Sequence, residues 1–330
     1  MADIILDAMG GDNAPAAQVA GAVAALDKIK ADIYLAGRKD EIEKLLNGFT
    51  HSRLHILNAP DIIEMDAKPV VACRKYPDSS LMVGMRFAKE RENSVFVSAG
   101  NSGAVMTAAV MVLERISGII RPAIAVVTQG INHPFVMLDA GANTNCSWQQ
   151  LCQFAVMGGI CAEQLIKKSN PRIGLLSNGS ESCKGTDAVV AANKALLETE
   201  LNFIGNIEGN DILNGVCDCI VCDGFVGNII LKFAEGFGSA LKHGMSSGSR
   251  FHLLKKIAKS VMKKIFTKFD YTEYGATYLL GLKGSVLVTH GRANEKAIMN
   301  AIIAAEGEIN TGINKKISEE INKYTAVMSL

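Results

Sequence analysis

Short apolar runs punctuate the chain, and each gives way to small or glycine-rich residues before a helical pattern begins. Ile4-Ile5-Leu6 leads into Gly10-Gly11, Ile33-Tyr34-Leu35-Ala36 ends at Gly37, Leu54-His55-Ile56-Leu57 stops near Pro60, and Val95-Phe96-Val97 enters Ser98-Ala99-Gly100. Ala123–Val127, Phe135–Leu138, Ile173–Leu176 and Cys219–Cys222 behave the same way. Runs without polar alternation belong to strands covered on both faces. Their alternation with helical stretches predicts an α/β fold, a mostly parallel sheet sandwiched by helices. The spacing predicts helices near 15–30, 39–48, 79–93, 102–117, 147–168, 186–200, 226–245 and 294–323. With no internal repeat and no linker, residues 1–330 read as one α/β domain with two interleaved lobes around a cleft.

One segment departs from this rhythm. Residues 242–269 contain no Asp or Glu but carry Lys242, Arg250, Lys255, Lys256, Lys259, Lys263, Lys264 and Lys268. Leu253, Leu254, Ile257, Ala258, Val261, Met262, Ile265 and Phe266 recur at helical spacing, an apolar stripe flanked by lysines. The pattern predicts a basic amphipathic helical excursion. Leu254, Lys255, Ile257, Lys259, Val261 and Lys263 are its candidate contacts to a membrane or an acidic carrier protein. A helix that packs on a core or a second subunit has the same pattern.

Composition narrows the class. With 48% hydrophobic residues in 330, a sizeable core is expected, and a net charge of +1 gives no whole-protein field favouring nucleic acid. The opening Met1-Ala2-Asp3 runs straight into an apolar strand, which predicts no secretory leader. The eight cysteines are then expected as reduced thiols in a cytoplasmic protein. Cys217, Cys219 and Cys222 form C-x-C-x-x-C, but they fall on a buried strand with no second ligand pair at zinc spacing, so core thiols are expected and no metal.

The candidate chemistry sits where strands end. Asp7-Ala8-Met9-Gly10-Gly11-Asp12, Ser98-Ala99-Gly100-Asn101-Ser102-Gly103 and Asp139-Ala140-Gly141-Ala142-Asn143 each join a strand to a helix. Such junctions offer backbone N–H donors and a helix dipole to an anion, and three of them predict an anion-binding rim at the carboxyl edge of the sheet. Gly10, Gly11, Asp12, Ser98, Gly100, Asn101, Gly103, Gly141, Asn143 and Asp223 are the candidate phosphate or substrate contacts. Gly174–Ser180 has the glycine spacing of a nucleotide loop without its Lys-Ser/Thr end, no G-x-G-x-x-G occurs, and no Ser sits in a strand-to-helix G-x-S-x-G elbow. Lys184, in the polar loop that follows, is either a cation for phosphate and a developing oxyanion or an ordinary solvated lysine. Asp223-Gly224-Phe225-Val226-Gly227-Asn228 follows the cysteine strand. His290 follows Val286-Leu287-Val288, where an acid or phosphate ligand and a structural histidine are both open readings.

Together these segments resemble, in order and over essentially the whole chain, the bacterial phosphate acyltransferases of phospholipid synthesis. The resemblance rests on Asp7–Asp12, Ser98–Asn101, Asp139 with Gly141–Asn143, Gly174-Leu175-Leu176, Glu181 with Lys184-Gly185, Phe203–Asn206, Asp223-Gly224-Phe225 with Gly227-Asn228, Tyr274-Gly275 and His290-Gly291. Asn13, Ser102, Ala140, Ala276, Ser182-Cys183 and Arg292-Ala293 depart from the family pattern.

The resemblance implies a fold like that of isocitrate and isopropylmalate dehydrogenases and of phosphotransacetylases. It also implies transfer of a long-chain acyl group from acyl carrier protein to inorganic phosphate, with no cofactor. Asn228 and Lys232 stand where those dehydrogenases carry metal-binding carboxylates. Lys184, Asn228 and His290 become the candidate catalytic residues. A homodimer is implied, peripheral on the inner face of the cell membrane and handing product to a membrane glycerol-phosphate acyltransferase. Competing readings are a phosphotransacetylase using acyl-coenzyme A, a non-catalytic scaffold of lipid synthesis, and a dehydrogenase.

Overall fold

The computed structural model describes residues 2–246 and 275–324. Among the described residues eleven strands form a single sheet. They are β1 (Asp3–Asp7), β2 (Asp32–Gly37), β3 (Leu54–Asn58), β4 (Ser94–Ser98), β5 (Ala123–Gln129), β6 (Pro134–Leu138), β7 (Ile173–Leu176), β8 (Phe203–Ile207), β9 (Cys219–Val221), β10 (Thr277–Leu280) and β11 (Ser285–Val288), in the order β3-β2-β1-β4-β11-β10-β5-β6-β9-β7-β8. Neighbours run parallel from β3 to β11 and again from β6 to β8. The three pairings between those blocks, β11 with β10, β10 with β5 and β5 with β6, are antiparallel.

The sheet is therefore mostly parallel, as expected, but its two blocks run in opposite directions. The carboxyl ends of β1, β4 and β11 emerge at one edge and those of β6, β9 and β7 at the other. A single carboxyl rim, which the sequence pattern predicted, is replaced by two. The cause is the β5–β6 hairpin: β10 is antiparallel to both of its neighbours, so β5 runs the same way as β11 and the hairpin alone reverses the second block.

Helices are α1 (Ala16–Ala25), α2 (Lys39–Leu46), α3 (Pro69–Lys75), α4 (Ser80–Lys89), α5 (Ser102–Val112), α6 (Trp148–Leu165), α7 (Asp187–Leu197), α8 (Gly224–Ser246), α9 (Glu295–Thr311) and α10 (Ile313–Glu320). Successive strand side chains face opposite layers. Ile4 and Leu6 face the layer that holds α1, α6 and α9, whereas Ile5 packs with α4 and α5. Val136 and Leu138 share the first layer, and Phe135 and Met137 meet Val226 and Ile230 of α8.

Helix starts follow local chemistry. Ser147 caps α6 in a capping box with Gln150, and Thr186 caps α7. The continuous helix expected over 294–323 divides at Gly312, whose φ of 58° is left-handed and terminates α9. The basic stripe, with Leu254, Lys255, Ile257, Lys259, Val261 and Lys263, lies outside the described residues.

Candidate functional site

At the first rim the loops after β1, β4 and β11 order one another. The buried Asp7 carboxylate accepts the Ser80 hydroxyl at 2.6 Å and the Ser98 hydroxyl at 2.7 Å, and Met9 N–H at 3.3 Å. Burial raises the Asp7 pKa above the usual carboxylate value, and hydrogen bonds from Ser80, Ser98, Met9 and Gly10 pull the other way. Gly10 and Gly100 touch so closely that a Cβ on Gly10 would stand 2.9 Å from the Gly100 nitrogen. Gly100 N–H donates to Ser98 Oγ, and Asp12 N–H donates to the Gly291 carbonyl.

Other candidates at this rim are also engaged within the protein. Asn101 caps α5 through Ala104 N–H, and its amide donates to the Met65 and Ala67 carbonyls. A Cβ on Gly103 would press on Pro69, so Gly103 lets α3 approach α5. His290 Nδ1 accepts Arg292 N–H and its carbonyl accepts Ala293 N–H, forming the turn into α9. Asp12 faces Arg292 at 3.9 Å.

The second rim repeats the device. Asp139, buried at the end of β6, accepts N–H groups of Ile124, Gly141 and Ala142 on Oδ1, and both the backbone and side-chain amides of Asn143 on Oδ2. Burial raises the Asp139 pKa and these donors lower it. The Gly141 and Asn143 N–H groups, expected to hold phosphate, are thus turned onto a carboxylate of the same loop. The remaining Asn143 side-chain donor reaches the Pro122 carbonyl.

Helix α8 begins against this loop. Asp223 caps it, accepting Val226 N–H at 2.8 Å, and Gly224 N–H donates to the Asn143 carbonyl at 2.7 Å. A Cβ on Gly224 would lie 2.8 Å from the Asn143 nitrogen, and one on Gly227 2.0 Å from the Asp139 carbonyl oxygen. The two glycines of Asp-Gly-Phe-Val-Gly-Asn are therefore demanded by helix-to-loop contact. Asn228, half-buried, sits beside Gly141, 3.5 Å from where a Cβ would stand.

Lys184 belongs to the loop after β7, the neighbour of β9. It is exposed and makes no ion pair among the described residues. Its loop is braced from below: Asn206 donates to the Glu181 and Lys184 carbonyls at 2.8 and 3.3 Å, and Asn193 donates to Asn206 Oδ1 at 2.9 Å. Between this loop and α8 opens a cavity of about 1000 Å³, bordered by Ser177, Asn178, Thr186 and Asp223 and continuing along Ile229, Phe233 and Phe237.

Of the candidate catalytic residues, Lys184 and Asn228 lie with Asp223 at one sheet edge, while His290 ends β11 at the other; the sequence pattern did not separate the two edges. It missed the roles of Asp7, Ser80, Asn193 and Asn206. Asp7 had one available signal, a carboxylate at the end of an otherwise apolar strand. Cys217, Cys219 and Cys222 are buried core thiols, and burial, aided by the nearby Asp218 charge, pushes Cys217 up to about 12.

The family described as "Fatty acid synthesis protein" matches residues 2–316. A Thermoanaerobacter pseudethanolicus protein named phosphate acyltransferase is 42% identical over 332 residues, covering 99% of each chain. A Dictyoglomus turgidum protein of the same name is 41% identical over 330 residues, covering 98% of each. The chain belongs to the phosphate acyltransferase family. Membership fits the fold likeness to other transacylases. A phosphotransacetylase from Streptococcus pyogenes superposes with a TM-score of 0.61 at 17% identity, covering 94% of each chain. A branched-chain phosphotransacylase from Enterococcus faecalis gives 0.61 at 11%, covering 94% of this chain and 100% of its own. At such identities the phosphotransacylases share the acyltransferase's fold, and the loops must be judged on their own residues. Among the described residues no helix is long and apolar enough to cross a membrane.

Proposed function

We propose that this acyltransferase moves a long-chain acyl group from acyl carrier protein to inorganic phosphate, releasing carrier thiol and acyl phosphate. The observation that carries the reading is the exposed Lys184 on an Asn206-braced loop at the same sheet edge as Asp223 and Asn228, with the next residues of that loop, Gly185 and Thr186, lining the mouth of an apolar cavity. Phosphate is a competent nucleophile at neutral pH, so no covalent enzyme intermediate is required. Its oxygen attacks the thioester carbon, the C–S bond breaks, the electron pair leaves on sulfur, and the proton of monohydrogen phosphate ends on that sulfur to give the carrier thiol. The protein's task is to hold phosphate beside the carbonyl and to stabilise the oxyanion.

Lys184 supplies the charge for that oxyanion, Asn228 a neutral donor, and the half-buried Ser177 and exposed Asn178 help hold phosphate. His290, at the other edge, has a structural role in the turn to α9. Purified chain, hexadecanoyl carrier protein and phosphate, trapped with hydroxylamine, should give hydroxamate that requires phosphate. Lys184→Ala should lower the rate about a hundredfold. Equal turnover of the coenzyme A thioester would favour the phosphotransacetylase reading, and carrier binding without hydroxamate the scaffold.

The stripe over 250–268 supports an anionic membrane surface as the second partner. The enzyme then works as a cytoplasmic homodimer, peripheral on the inner face of the cell membrane, and delivers product to a glycerol-phosphate acyltransferase there. Each lysine near such a surface contributes about 1 kcal/mol. Sedimentation with phosphatidylglycerol liposomes should be lost on Leu254→Glu with Ile257→Glu. Equal sedimentation of both proteins would remove the membrane role.

A further inference from the structure

The cavity beside α8 is more than the mouth described above. Its polar groups, Ser177, Asn178, Thr186 and Asp223, converge at the end next to the Lys184 loop, and beyond them the walls are almost wholly apolar. Ile230 and Ile212 form the inner wall, where they join the core cluster around Phe135 and Ile220. Phe233 and Phe237, 71% and 57% exposed, stack along α8 with ring centroids 6.1 Å apart and continue the wall outward. Large aromatic side chains left this open on a helix have a partner elsewhere, because their transfer from water is favourable.

We infer that this cavity seats the hydrocarbon tail of the acyl donor, with the thioester at the polar end and the tail running along α8 toward Phe237. This inference rests on the proposed acyl transfer and names the tail's seat within it. The shape argues for a head-and-tail ligand: one polar end, one apolar trough, and a volume of about 1000 Å³. From Val226 to Phe237 the helix rises about 16 Å. A tetrahedral hydrocarbon advances about 1.25 Å per carbon, so the trough matches a chain of roughly thirteen carbons beyond the head. A second copy of the chain docked on Phe233 and Phe237 would explain the exposed rings, but not polar groups gathered at one end of a half-open apolar trough.

The test uses the full chain and a hexadecanoyl chain carrying a terminal diazirine, presented as the carrier-protein thioester. Photolysis should label residues 229–238, and unmodified hexadecanoate should compete the label away. Phe233→Ser, at an exposed position that leaves the core intact, and Ile230→Trp, which fills the trough, should each lower the ratio of hexadecanoyl to octanoyl kcat/KM roughly tenfold. Label confined to other elements, or an unchanged ratio in both variants, would overturn the inference. Conversion of a dimer to a monomer by Phe233→Asp, with the hexadecanoyl-to-octanoyl ratio unchanged, would also overturn it, assigning the rings to a second copy. Labelling needs no turnover: label on α8 without acyl phosphate would sink the reaction and keep the seat, and turnover with label elsewhere would do the reverse.

Discussion

The Asp7 carboxylate accepts the Ser98 hydroxyl at 2.7 Å across neighbouring strands β1 and β4, and this contact organises the first rim. Because Ser98 Oγ in turn accepts Gly100 N–H, and Asp7 also holds Ser80, one buried side chain fixes the ends of β1, β4 and α4. Asp7→Ala leaves two buried hydroxyls and an N–H without their acceptor. It should destabilise the protein by about 3 kcal/mol, read as a lower urea midpoint at unchanged slope. A midpoint within error of the wild type would show that water replaces the carboxylate freely.

The contact of α8 with the 139–143 loop should tolerate no methyl group. Gly227→Ala pushes a Cβ onto the Asp139 carbonyl, and Gly224→Ala onto the Asn143 nitrogen. Both neighbours are backbone and cannot rotate away. Each variant should lose roughly 2 kcal/mol or more, with Gly227→Ala the worse because its approach is closer. Thermal melts rank the two, and equal stability to wild type would mean that α8 shifts without cost.

Asn206→Ala removes the donor to the Glu181 and Lys184 carbonyls while leaving the Lys184 side chain in place. A loop set loose by about 1 Å costs roughly a hundredfold in a positioned reaction. Hydroxylamine trapping of Asn206→Ala should therefore show a fall in kcat between ten- and a hundredfold. A fall in KM-dependent rate alone, with kcat intact, would count against the bracing role.

Glu308 sets a pH dependence. It lies buried on α9, accepting hydrogen bonds from the Ser285 and Thr311 hydroxyls, and burial raises its pKa from 4.5 to about 7. The folded state thus holds a proton that the unfolded chain has released. This contribution to stability is fully present below pH 4.5 and is lost as pH rises through about 7. The loss amounts to about 3 kcal/mol. Glu308→Gln, neutral throughout, should gain stability relative to wild type between those limits, measured by denaturant unfolding across that range. Parallel pH curves for the two proteins would place the ionisation elsewhere.

The layered α/β class, most helix positions and the three glycine-rich junctions were set by the amino-acid sequence alone. Strand burial and helix periodicity are local consequences of which residues follow one another. The strands Ile4–Leu6 and Val95–Val97 announce themselves in this way. What only the tertiary structure decided was direction and occupancy. The antiparallel β5–β6 hairpin reverses the second block and turns one expected rim into two, while β10 and β11, from far along the chain, join the two blocks in the middle of the sheet. Likewise Gly141 and Asn143 carry the right donors for an anion, but Asp139, in the same loop, takes them. Donor inventory is written in the chain; which acceptor reaches a donor first depends on how the backbone folds around it.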